Sequence, residues 1–134
     1  MKVSNLKTTI FYYSKPMNHK LCGQEIFTQF KKHKSKIDCI ICGSEVSGTG
    51  LLSEFIGRKV KIPQSVGIAA VGNAEITSLL HPQLTTIDFK VEEIGILAAD
   101  SLIDKIKNIK IRKKIIDVGV ELIKGGSSVL QKNK

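Results

Sequence analysis

Ile37-Asp38-Cys39-Ile40-Ile41-Cys42-Gly43-Ser44 is a short apolar run that halts at a glycine and a serine, and a helical pattern follows at once. A run of this length with little polar alternation reads as a parallel strand covered on both faces. The helix after it carries Val46, Leu51, Leu52, Phe55 and Ile56, with Gly57 near its end, a common place for a helix to stop. Ile62-Pro63 then precedes a second run of the same kind, Val66–Val71. Apolar strand, helix, apolar strand is the repeating unit of an α/β fold with a mostly parallel sheet flanked by helices.

Outward from this centre the alternation continues. Thr8–Tyr13 is β-branched and aromatic and ends at Ser14-Lys15-Pro16, which predicts a first strand. Leu21, Cys22, Ile26, Phe27 and Phe30 form one stripe of a helix over about residues 19–33, with Lys31, Lys32, His33 and Lys34 at its negative end. Gly72 to Pro82 is a loop with one helical turn, and Leu84–Asp88 is a short extended piece. A long helix runs from about Phe89 to Ile109, with Asp88 as its expected N-cap, Glu92 and Glu93 in its first turn, and Lys105 and Lys107 in its last. Ile116, Val118, Val120 and Leu122 alternate with Asp117, Gly119 and Glu121 in a last strand. From Gly125 onwards the chain is expected to fray, with residues 129–134 a disordered tail.

The long helix carries Val91, Ile94, Ala98 and Leu102 on one stripe, yet Ile96, Leu97, Ala99 and Ile103 fill much of the rest. A surface helix needs only one apolar face. This one is expected to meet partners on two sides, beyond what the chain itself supplies.

The chain of 134 residues, 42% hydrophobic and 25% charged, has the size and balance of one globular domain. Its apolar runs are far below the roughly 20 residues of a membrane span, and Met1–Lys7 lacks a signal-peptide core. A cytoplasmic location without membrane contact is expected. Cys22, Cys39 and Cys42 are an odd number, which does not suggest a disulfide framework. Cys39 and Cys42 match the C-x-x-C spacing, but in a strand they point to opposite faces, so they are expected as small core side chains without a metal.

The net charge of +9 is uneven. Residues 1–37 carry eight Lys and one Glu, residues 38–104 four basic and nine acidic groups, and residues 105–134 nine basic and two acidic. Only Arg58 and Arg112 are arginine, the residue suited to bidentate reading of guanine. A solvated lysine-rich surface is therefore favoured over a free-standing nucleic-acid-binding protein. No serine, cysteine or carboxylate motif accompanies His81 as a triad would require, His19 and His33 lack metal-ligand spacing, and no phosphate-loop motif exists. Neither an enzyme nor a cofactor is expected.

The stretch Ile37–Gly50 resembles the corresponding segment of the lactose-repressor/galactose-repressor (LacI/GalR) family, and so does Lys61-Ile62-Pro63-Gln64-Ser65-Val66. The most specific likeness is Leu79-Leu80-His81-Pro82-Gln83-Leu84-Thr85-Thr86-Ile87, and it continues through Glu93-Ile94-Gly95 to Gly126-Ser127-Ser128. The resemblance implies the C-terminal portion of a two-lobed, type I periplasmic-binding-protein-like effector domain over residues 1–128. Residues 1–72 and 112–128 look like its C-terminal lobe, and 84–110 like a segment returning to the N-terminal lobe. A helix-turn-helix has no counterpart here, so the chain looks like the tail of a longer, dimeric regulator that meets operator DNA only through that missing domain. Either an effector-binding role or a purely dimerising one would fit.

By the same resemblance, Ser44-Glu45 stands where the family's Asn-Asp pair accepts ligand hydroxyls, although a first-turn glutamate also suits the helix dipole. Gly72-Asn73 stands at a turn that often faces the ligand, and the Gly-Asn form is similar to that of members responding to disaccharides such as sucrose or trehalose. Gly-Asn is equally an ordinary turn pair. Asn18 occupies the position where many members stack an aromatic on the ligand. The implied ligand is a sugar or sugar phosphate, and Val91, Ile94, Ala98 and Leu102 are the implied dimer interface.

Overall fold

A computed structural model describes residues 8–13, 18–33, 37–72, 77–109 and 115–128. Its elements are α1 (His19–His33), β1 (Cys39–Cys42), α2 (Glu45–Gly57), β2 (Gly67–Val71), β3 (Thr85–Asp88), α3 (Val91–Ile106) and β4 (Glu121–Ile123). The sheet has the order β1-β2-β3-β4. Cys39 pairs in parallel with Gly67, and Ala69 with Thr85, whereas Thr86 faces Ile123 across an antiparallel ladder. The expected α/β class with a mostly parallel sheet is what the chain adopts.

The core lies between the sheet and α2, with α1 stacked on α2. Leu51, Leu52, Phe55, Ile68 and Leu84 are fully enclosed there. The absence of side chains lets the layers meet. A Cβ on Gly23 would overlap the Gly50 carbonyl, so the α1 and α2 backbones touch, and a Cβ on Gly48 would press within 2.6 Å of the Ala70 methyl. Phe27 stands edge-on to Phe55 with ring centroids 5.0 Å apart, and Phe30 lies 4.9 Å from Phe55. Tilted and edge-to-face pairs of this kind add attraction beyond the buried area. The Arg58 guanidinium, held by Glu54, lies over Phe27 at 4.6 Å from the ring centroid.

Several expectations need correction. Thr8–Tyr13 forms no strand: Phe11 and Tyr13 pack against the core, and Gln29 Nε2 donates to the Tyr12 carbonyl at 2.9 Å. β-propensity describes side chains that fit a pleated surface, and a ladder also requires an available partner. The run from Ile37 to Cys42 is covered on one face only. Ile40 and Cys42 face the helices, while Cys39 is exposed and not a core residue, and Ile41 is 74% exposed. Asp88 does not cap α3. Its Oδ1 accepts the Lys90 amide at 2.8 Å, and the turn so closed puts Lys90, the actual N-cap, in the left-handed region at φ 54°.

The final strand is confined to Glu121–Ile123. Asp88 pairs with Glu121, and beyond Asp88 the neighbouring chain turns away into α3, so residues before 121 have no ladder to join. Ile116, Val120 and Leu122 are exposed rather than buried. The segment Gly125–Ser128 is not frayed. Ser127 is fully buried, its Oγ donates to the Ile68 carbonyl at 2.5 Å and accepts the Thr85 amide at 2.9 Å, and Ser128 Oγ meets Thr85 Oγ1 at 2.7 Å. Residues 129–134 lie outside the described residues.

Candidate functional site

The loops that leave the C-terminal ends of the parallel strands gather at one edge of the sheet: Gly43-Ser44 after β1, Gly72 after β2, and Asp88 at the end of β3. Ligands of open α/β sheets bind beyond such strand ends. Ser44 is the N-cap of α2, in extended backbone at φ −150°, and its Oγ accepts the Ser47 amide at 3.3 Å. Ser47 Oγ in turn donates to the Ser44 carbonyl at 2.8 Å. These bonds occupy donors and acceptors that a helix start otherwise leaves open, and they hold the Ser44 side chain in place.

Glu45 opens the first turn of α2 and is half-buried. Its carboxylate lies against Gly72, in the volume a Cβ there would need. Gly72 has φ +141° and donates its amide to the Ile87 carbonyl at 3.0 Å. The glycine thus links all three strand ends, since Glu45 follows β1, Gly72 ends β2 and Ile87 belongs to β3. Asn73 lies outside the described residues.

Asn18 caps α1, with Oδ1 accepting the Leu21 amide at 3.1 Å. Asn18 and Ser44 share the wall of a cavity of about 730 Å³ between residues 8–13, the start of α1, and β1. The structure therefore brings Asn18 to Ser44 across this cavity, and Glu45 to Gly72. Residue-level reading did not anticipate the other walls, Ile10, Phe11, Tyr13, Cys22, Ile26 and Ile41. The aromatic content of Thr8–Tyr13 was the available signal, and it pointed to a strand instead.

Burial raises the thiol pKa of all three cysteines, and pushes Cys42 up to about 12. Thiols of this kind are poor nucleophiles at neutral pH. Among the described residues no three His, Cys, Asp or Glu side chains converge as metal ligands would. A second cavity of about 540 Å³ lies at the start of α3, between Asp88, Lys90, Glu92, Glu93 and Glu121. No residue of α3 is buried. Val91 is 61% exposed and Leu102 59%, yet Ile96 at 57% and Ile106 at 72% lie outside that stripe, so the apolar surface extends around the helix. No described helix is long and apolar enough to cross a membrane.

A mostly parallel sheet with its polar loops gathered at the strand ends defines a class of α/β small-molecule-binding folds. Within that class the chain belongs to the periplasmic binding protein-like domain family, whose pattern matches residues 4–128. It is 25% identical over 105 residues to the HTH-type transcriptional regulator GntR of Escherichia coli K12, covering 78% of this chain and 32% of that protein. The solved transcription regulator GntR from Chromobacterium violaceum superposes with a TM-score of 0.79 at 20% identity, over 85% of this chain and 42% of the other. A LacI family transcriptional regulator from Arthrobacter sp. FB24, solved in complex with lactose, gives 0.72 at 17% identity, over 83% and 41%. The chain thus spans about a third of the length of its curated relative. These relatives are transcription regulators, and the solved ones share the fold.

Proposed function

We propose that this chain is the effector-binding part of a LacI/GalR-type transcription regulator, acting in the cytoplasm without catalysis. A sugar or sugar phosphate binds beside Ser44 and Glu45, with Asn18 and Asn73 as further contacts. The observation that carries the reading is the Glu45 carboxylate held against Gly72, where three strand ends meet. A carboxylate there accepts hydrogen bonds from adjacent hydroxyls, and such charge-assisted bonds are stronger than neutral ones. The Arthrobacter regulator with lactose supports a saccharide; the disaccharide reading rests on Gly72-Asn73.

Ligand binding shifts the population towards a closed arrangement of two lobes, and closure alters operator affinity through a DNA-binding domain outside these residues. Residues 1–72 and 112–128 act as one lobe and 84–110 as the return to the other. The test is calorimetric titration of the complete gene product with monosaccharides, disaccharides and their phosphates. Binding that Glu45→Ala weakens by about 10-fold or more is expected from the loss of one charged hydrogen bond. Absence of binding, with operator affinity unaltered by Glu45→Ala, overturns the reading.

The unburied apolar helix α3 favours a second role in homodimerisation, with Val91, Ile94, Ala98 and Leu102 at the contact. Sedimentation should show a dimer that Ile94→Glu dissociates; a monomer at high concentration would exclude this role.

A further inference from the structure

We infer that the ligand of this site is two-natured: a polyol head at Ser44 and an apolar arm, such as an aryl aglycone, seated in the cavity behind it. The inference rests on the effector reading above and extends it to ligand class. About 730 Å³ is the scale of a pocket for a drug-sized molecule, far beyond one sugar hydroxyl. The walls are Ile10, Phe11, Tyr13, Ile26, Ile40 and Ile41, with the three cysteines between them.

Two of those walls are unusual. Ile10 is 65% exposed and Ile41 74%, although both border an enclosed space large enough to cover them. Their apolar surface stays in contact with solvent until something apolar enters, and that unrelieved surface is a driving force for binding. Polar groups are confined mainly to the ends, with Asn18 and Ser44 each fixed by a helix-capping bond and Ser47 beside Ser44. Position 18 itself offers no ring for a sugar to stack on, but Phe11 and Tyr13 line the space that Asn18 borders. A polar end continuous with an aromatic and aliphatic chamber selects a glycoside with an apolar aglycone over a bare sugar.

The experiment compares matched methyl and phenyl β-glycosides of glucose and galactose by calorimetry on the complete gene product. The phenyl member of a binding pair is expected to bind about tenfold tighter or more. Ile10→Asn and Ile41→Asn, both at exposed positions that folding does not depend on, should reduce that ratio towards one. Cys39 is the exposed thiol of the cavity wall, so phenyl glycoside should also slow its alkylation by iodoacetamide. Equal affinities within each pair overturn this inference and leave the effector reading intact. Binding of neither member overturns both. Slowing of Cys39 alkylation by higher protein concentration alone would assign the cavity to a second copy of the chain and overturn the inference.

Discussion

The carboxylate of Glu45 stands in the volume that any side chain at Gly72 would require. Two residues far apart in sequence thereby fix the distance between the start of α2 and the end of β2. The contact needs a glycine twice over, once for the space and once for φ +141°, a region that L side chains rarely adopt.

Gly72→Ala is therefore expected to cost roughly 1–3 kcal/mol from backbone strain, with a further loss from the clash. Urea unfolding measures it. Adding Glu45→Ala to this variant should recover only the clash, so a double-mutant cycle separates the two. Full recovery would show that the backbone angle carries no strain.

The α1–α2 contact supplies a sharper contrast. Gly23→Ala drives a methyl into the Gly50 carbonyl, which belongs to helical backbone and cannot swing aside. A loss of about 1–3 kcal/mol is expected from overpacking. Gly95→Ala, in the interior of α3 with nothing within 4 Å of the added atom, should instead raise stability by up to about 1 kcal/mol. The opposite signs are checked in one set of denaturation curves.

Ser127 was expected in a frayed tail and is a buried junction. Its hydroxyl joins the Ile68 carbonyl to the Thr85 amide, and its backbone bonds Ile68 and Gln83. Ser127→Ala leaves buried polar groups without that partner, at about 1–3 kcal/mol for each. Ser127→Gly should do no better, since the hydroxyl is what both variants lose. Unchanged stability in both would show the bonds contribute nothing net.

Cys42 gives a pH dependence with a definite sign. Its folded pKa, near 12, exceeds the ordinary 9.0 because burial penalises the thiolate. The folded state thus holds the proton more tightly than the unfolded one. The stabilisation is complete below pH 9 and is lost as pH climbs from 9 towards 12, by about 1.4 kcal/mol per unit at steepest. Cys42→Ala lowers stability overall but should flatten this alkaline limb in unfolding measured across pH 8–11. An equally steep limb in the variant would place the proton elsewhere.

Local sequence was enough for the class of fold and for much of the placement. The stripe from Leu21 to Phe30 marked α1, Ser44 and Gly57 bracketed α2, and the apolar stretch Val66–Val71 marked β2, because hydrophobic period and capping are properties of neighbouring residues. The same reading found Ser44-Glu45 and the turn at Gly72. It failed where the outcome depended on distant partners. Thr8–Tyr13 has the composition of a strand but no ladder to join, Ile41 has the character of a core residue on a face that nothing in the chain covers, and Gly125–Ser128 looks like a tail but bonds to β2 and β3. Strand pairing, burial and the cavity behind Ser44 are relations between segments tens of residues apart. Only the tertiary structure could decide them, because their energies belong to the contact and not to either segment alone.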